Sequence, residues 1–273
     1  MLPAYAELHC ISNFSFLRGA SHPEELIDRA RELGYAALAL TDECSLAGVV
    51  RAHLQAQLHD FPLLIGAEFS LQHYLPAMPW QVAPRDRVSE RKGEFPPTAK
   101  LVLLARNRNG YGRLSELITT ARGRAVKGQY QLLDSDLEDG VPDCTALLLP
   151  AQGPLEAHPA VGALARSIRD RFGERAWLGV ELLARGHDNT RLEQLRALGR
   201  TSGLPLVAAG DVQFHRRSRK PLHDTLTAIR LGTPITQCGL ALAPNAEQHL
   251  RSRLRLASLY PAELLEQIGR AHV

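Results

Sequence analysis

The segment YAALALTDE (residues 35–43) places two acidic residues directly after a continuous apolar run. A run of this kind is typical of a strand that is covered on both faces, as in parallel sheets and barrels. Helical patterns separate most of the apolar runs, and this alternation predicts an α/β fold with a parallel sheet, most simply a barrel. The other runs are residues 61–69, 100–105, 146–149, 177–182 and 204–209.

The ends of one predicted helix, over residues 21–33, can be read directly from the sequence. Ser21 is a residue type that caps helices, Pro23 lies near the first helical position, and Gly34 follows as a stop. The same helical spacing of apolar residues predicts further helices over residues 46–59, 111–122, 159–172, 189–202 and 220–231.

Two segments break the alternation. Residues 74–98 contain several prolines among many charges, which predicts a loop or an insertion. From residue 245 onward the pattern predicts two short helices, and Pro261 would open the second.

Composition excludes several classes of protein. The chain has 273 residues, of which 45% are hydrophobic and 22% charged, as in a globular domain, and its formal net charge is only +3. Its four cysteines form no CxxC pair, so neither a disulfide framework nor a zinc knuckle is expected, and a reducing cytoplasm fits best. It has neither an apolar run of about 18 residues nor a secretory signal, so no membrane span is expected. Motifs of serine hydrolases, P-loops and dinucleotide-binding folds are absent.

Acidic residues stand at the ends of three apolar runs, where barrels place functional groups. Asp42 and Glu43 follow the first run, Glu68 ends the second, and Asp211 follows the last. We therefore expect a cleft at this end of the barrel. Asp42 is interpreted as a turn or helix-capping residue.

Several segments, in order, resemble the successive motifs of PHP (polymerase and histidinol phosphatase) domains, which begin the catalytic alpha subunits of bacterial replicative polymerases. Residues 244–265 resemble the connector toward the palm in the error-prone branch. The resemblance implies a distorted (β/α)7 barrel over residues 1–240 and a short helical connector over residues 241–273. The motifs are ELHCISNFSFLRG (7–19), LTDECSLAG (40–48), IGAEF (65–69), LVLLARNRNGYGRLSELIT (101–119), LVAAGDVQF (206–214) and LHDTL (222–226).

In this family, an intact site holds three metal ions, usually zinc or manganese, and supports phosphoester hydrolysis, including 3′–5′ exonuclease proofreading. The chain departs from that pattern at most positions. Five positions where the family has metal ligands carry other residue types here. They are Ile11, an alkyl chain; Glu43, a carboxylate; Gln213, an amide; and the cations Arg18 and Lys100.

Only His9, Glu68 and Asp211 match ligands of the family pattern, with Glu43 as a substitute. We expect Arg18 and Lys100 to pair with these carboxylates, so that no metal is held and the pocket is degenerate. His9 is then a hydrogen-bonded pocket histidine. A residual zinc or manganese site would use His9, Glu43, Glu68 and Asp211.

The resemblance implies the N-terminal domain of an error-prone, damage-induced translesion polymerase of the bacterial cytoplasm. The domain is expected to be a structural platform without exonuclease activity; a residual phosphoesterase and a docking module for translesion or sliding-clamp proteins are the alternatives. Polymerase activity, with its Mg²⁺, would belong to a palm outside this sequence, and the remaining polymerase chain and, through it, DNA are the expected partners. The basic residues 215–220 and the arginines at 251, 253 and 255 either contact DNA or another part of the polymerase, or are solvated.

Overall fold

Seven strands form one sheet that curves into a nearly closed barrel. The computed structural model describes residues 3–71, 99–153, 155 and 160–271. In this part of the chain the strands neighbour one another in chain order. They are β1 Ala6–Cys10, β2 Ala37–Leu40, β3 Leu63–Leu71, β4 Ala99–Ala105, β5 Cys144–Pro150, β6 Ala176–Glu181 and β7 Leu206–Ala209.

The first and last strands meet just beyond their ends and nearly close the barrel. The N–H of Ile11 donates to the carbonyl of Val212 at 2.9 Å, and the N–H of Val212 donates to the carbonyl of His9 at 3.0 Å. These bonds place the residues that follow β1 and β7 side by side at one mouth of the barrel.

The predicted α/β barrel is confirmed, but the sheet is mixed, so the predicted parallel arrangement is wrong at one strand. β4 runs antiparallel to both β3 and β5, whereas the other neighbouring pairs are parallel. The sequence could not show this, because a strand that is buried on both faces has the same apolar pattern in either direction. The antiparallel direction matters for the site, because the first residues of β4 lie at the same mouth as the last residues of β3.

Strand β1 was not among the predicted strands. Its sequence is AELHC, and the two polar residues Glu7 and His9 interrupt the apolar run. Both side chains are nevertheless almost fully buried, at 1% exposure each. A strand whose inward face carries buried polar groups does not show the pattern on which the prediction relied.

Helices pack around the barrel and agree with the predicted ones to within a few residues at most ends. The predicted helix over 46–59 begins three residues later in the structure, and the one over 111–122 begins three residues earlier because Asn107 caps it. The helices are α1 Pro23–Glu32, α2 Val49–Leu58, α3 Arg108–Gly123, α4 Val161–Phe172, α5 Asp188–Ser202, α6 Lys220–Leu231, α7 Arg253–Leu259, α8 Ala262–Glu266 and α9 Ile268–Ala271. None of the described helices is long and apolar enough to cross a membrane.

The residue that caps α1 is His22 rather than the predicted Ser21. The N–H of His22 donates to the carboxylate of Glu25 at 2.9 Å, as in a capping box. The hydroxyl of Ser21 instead accepts a hydrogen bond from the N–H of His215 at 2.9 Å. The hydroxyl of Ser21, which the sequence predicted to cap α1, is therefore used in a long-range contact instead.

The C-terminal segment contains less helix than predicted. Residues 245–252 form no helix; instead the N–H of Gln213 donates to the carbonyl of Gln248 at 2.9 Å, and His249 bridges to Phe214. Helix begins only at Arg253. The predicted role of residues 241–273 as a connector stays a prediction, and the predicted insertion at 74–98 lies outside the described residues.

Two glycines of α3 differ in what a side chain would meet. A Cβ at Gly110 would lie 2.1 Å from the carbonyl oxygen of Asp143, whereas one at Gly112 would meet nothing within 4 Å. We predict that Gly110→Ala lowers the free energy of unfolding by about 1–3 kcal/mol, because backbone must move. Gly112→Ala should be neutral or stabilise by up to about 1 kcal/mol through helix propensity. Urea unfolding of both variants tests this. Equal changes in the free energy of unfolding would contradict the close approach of Gly110 to the carbonyl of Asp143.

Candidate functional site

Charged side chains from six strands or the residues that follow them meet at one mouth of the barrel. His9 comes from β1, Glu68 from β3, Glu181 from β6, and Asp211 from the residues after β7. Glu43 follows β2, and Arg18 lies in the loop after β1. Lys100 reaches the same mouth from the start of antiparallel β4, where it pairs in register with Ser70 near the end of β3. We call these residues the ion-pair cluster: His9, Arg18, Glu43, Glu68, Lys100, Glu181 and Asp211.

His9 lies between two carboxylates. Its Nε2 is 2.6 Å from Oε2 of Glu68, and its Nδ1 is 2.6 Å from Oε1 of Glu181. A carboxylate oxygen only accepts, so both ring nitrogens must carry a proton and the ring is an imidazolium. Burial and the Lys100 cation lower the pKa of His9, but the hydrogen bonds to the two glutamates outweigh them and raise it to about 9.

Arg18 and Lys100 bind the same carboxylates from the open side of the cluster. Nη1 of Arg18 lies 2.5 Å from Oε2 of Glu43 and also contacts Glu68. Nζ of Lys100 lies 3.3 Å from Oε2 of Glu68 and 3.2 Å from Oδ1 of Asp211. The ion pairs that the sequence predicted between these cations and carboxylates are therefore present.

The cations keep Glu68 ionised in a fully buried position. Burial by itself raises the pKa of this carboxyl, but Arg18 and Lys100 hold it well below its usual range. Asp211 shows the same balance: burial raises its pKa, and Lys100 with the protonated His9 lowers it. The backbone of Asp211 has φ of 46°, a left-handed conformation that few residue types other than glycine adopt readily.

Polar side chains around the cluster satisfy its remaining oxygens. The hydroxyl of Tyr130 donates to Oε1 of Glu43 at 3.1 Å, Nε2 of Gln248 to Oδ2 of Asp211 at 2.6 Å, and Nε2 of Gln152 to Oε2 of Glu181 at 3.2 Å. These contacts fix the orientation of the carboxylates. A buried polar network of this kind is stabilising only when its members are satisfied.

Sequence reasoning missed Glu181 and the three residues that support the cluster. Glu181 could have been found, because it ends the apolar run 177–182 just as Glu68 ends its own run. Gln152, Tyr130 and Gln248 lie in irregular segments, and no local pattern marks them.

Ile11 and Gln213, two of the predicted pocket residues, have different surroundings. Ile11 is buried at 1% exposure and carries no polar side-chain atom, so it cannot serve as a ligand. Gln213 donates from Nε2 to Oδ1 of Asp211 at 3.4 Å, and its Oε1 lies 2.7 Å from Nε2 of His223.

Asp42 stabilises the loop that carries Arg18 rather than joining the cluster. It accepts hydrogen bonds from the backbone and hydroxyl of both Ser12 and Ser15, at 2.7–3.1 Å. This agrees with the turn interpretation of Asp42 and excludes the capping one, since the residue preceding α2 is Gly48.

The donor set fits a three-ion centre poorly. His9, Glu181 and Asp211 could each offer one ligand atom, and those atoms lie within 4.8 Å of one another. However, the ammonium of Lys100 contacts the same Asp211, and both ring nitrogens of His9 already face carboxylates. A bound ion would have to displace these cations and remove protons from the histidine.

The basic run after Asp211 is engaged in ion pairs within the protein. Arg216 pairs with Glu32 at 3.2 Å, and Arg219 contacts Glu25, so the run is tied to α1. These contacts reduce the positive charge available to a partner. Contact of the run with DNA stays a prediction. Further pairs of this region, among the described residues, include Arg217–Glu247, Lys220–Asp224 and Arg255–Glu247.

A nearly closed seven-stranded barrel, with a histidine and carboxylates at one mouth, defines the class of this protein. Residues 7–165 match the family model described as the PHP domain. The chain belongs to the PHP family.

Curated relatives cover nearly the whole chain and share one name. A protein of Bordetella parapertussis named error-prone DNA polymerase is 53% identical over 98% of this chain, and one of Methylococcus capsulatus with the same name is 51% identical over 96%. A third, from Dechloromonas aromatica, is 50% identical over 97%. The chain spans about a quarter of the length of these relatives, 22–24%.

Solved structures resemble the chain more distantly. An amidohydrolase from Chromobacterium violaceum aligns with a TM-score of 0.47 and 14% identity, covering 77% of this chain and 88% of that one. A putative metal-dependent phosphoesterase from Bifidobacterium adolescentis aligns with a TM-score of 0.40 and 16% identity, covering 100% and 98%.

Removing one buried carboxylate should destabilise the barrel strongly. Glu68→Gln leaves Arg18 and Lys100 with one fewer anion in a buried site, and we predict a loss of about 3–5 kcal/mol in the free energy of unfolding. The control is Glu116→Gln, whose side chain is 69% exposed and pairs with Arg113 at 3.4 Å; it should cost less than about 1 kcal/mol. Urea titrations measure both, and similar costs would contradict a tightly coupled cluster.

The protonation of His9 predicts a specific pH dependence. Its pKa is about 9 in the folded chain and near 6.5 when unfolded, so the proton stabilises fully below pH 6.5 and is lost as pH rises through 9. The free energy of unfolding of the protein, measured relative to the His9→Gln variant, should therefore fall by about 3 kcal/mol across this window. Chemical denaturation of both proteins at a series of pH values checks this. A difference that does not change with pH would mean that the ring is neutral.

Proposed function

We propose that this chain is the PHP domain of an error-prone DNA polymerase that copies damaged templates, and that it supports the polymerase structurally without 3′–5′ exonuclease activity. One observation carries the proposal: Arg18 and Lys100 bind Glu43, Glu68 and Asp211, three of the four carboxylates of the cluster. The relatives named error-prone DNA polymerase supply the context.

The charge balance of the cluster supports a metal-free site. Four carboxylates face three cations when His9 is protonated, so the cluster keeps a single net negative charge. Divalent ions need anionic or neutral ligands in excess of competing cations. Side-chain cations stabilise carboxylates as a metal does, but they do not generate hydroxide from bound water. The arrangement therefore preserves the geometry of the mouth and removes the means of hydrolysis.

A domain without hydrolysis suits the proposed polymerase. Mispaired primer ends would persist, and synthesis past a lesion would not be reversed. Nucleotide addition, with its Mg²⁺, would belong to the part of the polymerase outside this sequence. DNA would be bound through that part, and translesion or sliding-clamp proteins are the further partners that this proposal allows.

A residual metal-dependent phosphoesterase is the second candidate, and the proximity of His9, Glu181 and Asp211 favours it. This set shares His9 and Asp211 with the predicted residual ligands but replaces Glu43 and Glu68 by Glu181. It would hold one ion, with His9 deprotonated. Metal content and cleavage distinguish the two candidates.

The purified chain should contain well under one equivalent of zinc or manganese by mass spectrometry after dialysis. It should leave single-stranded DNA and 3′-mismatched primers intact with either metal. The variant Arg18→Asp with Lys100→His restores the residue types of the family pattern at these two positions and should bind more metal than the natural sequence. Glu116→Gln, whose exposed side chain is not part of the ion-pair cluster, should change nothing.

Two outcomes would overturn the platform proposal. One is two or more stoichiometric ions in the natural sequence. The other is cleavage that disappears in Asp211→Asn but persists in Glu116→Gln. A single stoichiometric ion with such cleavage would establish the second candidate.

A further inference from the structure

An apolar groove opens between α2 and α3, where β3 and β4 part. The N–H of Arg106, directly after β4, donates to the carbonyl of Asp143 at 2.9 Å, so the chain stays beside β5 and leaves β3. Residues 63–65 at the start of β3 pair with β2, whereas the pairing with β4 begins only at Gly66. The opening has a volume of about 780 Å³ and is lined by parts of α2, the start of β3, residues 105–107 and the start of α3. We call it the α2–α3 groove.

The wall that α2 contributes is a stripe of exposed apolar side chains. Val50, Leu54 and Leu58 recur every four residues, so they share one face of the helix, and they are 66%, 60% and 75% exposed. Another face of α2 is already buried through Ala52 and Ala56. Single exposed apolar residues are common on protein surfaces, but a contiguous set beside an apolar groove marks an interaction site.

The rim of the groove is basic. Arg106 and Arg108 are exposed, line the groove, and form no ion pair with any described residue. Asp143 lies beside this rim, but its Oδ1 accepts from Nδ2 of Asn107 at 3.0 Å and it pairs with neither arginine. No acidic residue of the described chain lines the groove. The amino end of α3 adds the positive end of a helix dipole.

We propose that the α2–α3 groove binds an amphipathic helix of another protein, one with apolar side chains on one face and carboxylates beside them. An apolar groove between two helices accepts the apolar face of a third, whose anchors recur at helical spacing. Carboxylates beside that face can each accept two parallel N–H bonds from the guanidinium groups of Arg106 and Arg108. The inference goes beyond the platform role and is independent of it, because no residue of the ion-pair cluster lines the groove.

Charge argues against a second copy of this chain as the occupant. Two copies that met groove to groove would bring Arg106 and Arg108 of one protomer against the same residues of its partner. Like charges that face each other across an interface weaken it, and the formal net charge of the chain is itself +3. An acidic partner removes this repulsion and is steered toward the groove.

Binding of three stapled helical peptides to the full 273-residue chain tests the proposal. The staple holds each peptide of about 15 residues helical, since so short a helix is marginal by itself. The first has leucine at the anchor positions and glutamate beside them. The second replaces each glutamate by lysine, and the third replaces each leucine by serine. Fluorescence anisotropy at constant ionic strength should show binding of the first peptide. The other two should bind at least about tenfold more weakly, because each lacks half of the complementarity.

Variants locate the binding. Leu54→Ala should weaken binding of the glutamate–leucine peptide about tenfold. Its control is Leu254→Ala on α7, a leucine that is 70% exposed and outside the groove, which should leave binding unchanged. Arg108→Glu should weaken the same peptide about tenfold and strengthen binding of the lysine peptide. Its control is Arg200→Glu, an exposed residue of α5, a helix that packs against β6 and β7; it should do neither. All four positions are exposed, and glutamate suits the first turn of α3, so the variants should fold.

The proposal fails if the glutamate–leucine peptide does not bind, or if the lysine peptide binds equally well. It also fails if Arg200→Glu weakens binding as much as Arg108→Glu does, because the attraction would then be a diffuse charge effect.

Two other occupants are distinguished by further measurements. A dimer in sedimentation that Leu54→Ala dissociates would assign the groove to a second copy of this chain. Peptide binding by this chain that is lost in the full-length polymerase of the proposed function would assign the groove to the rest of that polymerase. Either result would overturn the inference and leave the platform proposal unaffected.

Discussion

One imidazolium ring joins opposite walls of this barrel. His9 stands on β1, and its two nitrogens contact carboxylates from β3 and β6, each at 2.6 Å. Burial alone would lower the pKa of this ring, and the hydrogen bonds to the two glutamates outweigh that effect, so the ring keeps its proton. Glu68 in turn is paired with two further cations, Arg18 and Lys100, from the open side of the mouth. The charge state of each member thus depends on the others, as is usual for coupled buried groups.

A second polar layer lies further along β1, at Glu7. Glu7 accepts hydrogen bonds from the N–H of His9, the N–H of Gly210 and the hydroxyl of Tyr5. A Cβ at Gly210 would lie 2.2 Å from Oε2 of Glu7, so only glycine permits this approach. These bonds link β1 to the end of β7, where the barrel closes.

The C-terminal segment contributes to the barrel rather than lying apart from it. The hydroxyl of Tyr260 donates to the carbonyl of Ala209 at 2.6 Å and accepts from the N–H of Leu182 at 3.1 Å. Nη1 of Arg251, whose side chain is almost fully buried, donates to the carbonyl of Leu182 at 2.7 Å. Together these bonds hold the ends of β6 and β7, which carry Glu181 and Asp211. The segment that resembles a connector therefore also helps to position the carboxylates of the mouth.

Local chemistry in the sequence determined much of this protein. Continuous apolar runs marked six of the strands, and the replacement of ligand types by Arg18 and Lys100 was sufficient to predict their pairing with Glu68 and Asp211. Both inferences succeed because burial and charge complementarity depend on residue type. Only the tertiary structure decided the direction of β4, the presence of β1 and the contacts of Gln152, Tyr130 and Gln248 with the cluster. A strand that is buried on both faces has the same apolar pattern whichever direction it runs, so the direction of β4 could not be predicted. A polar residue on an inward face has the pattern of an exposed residue until its distant partner is known, and for this reason β1 was missed.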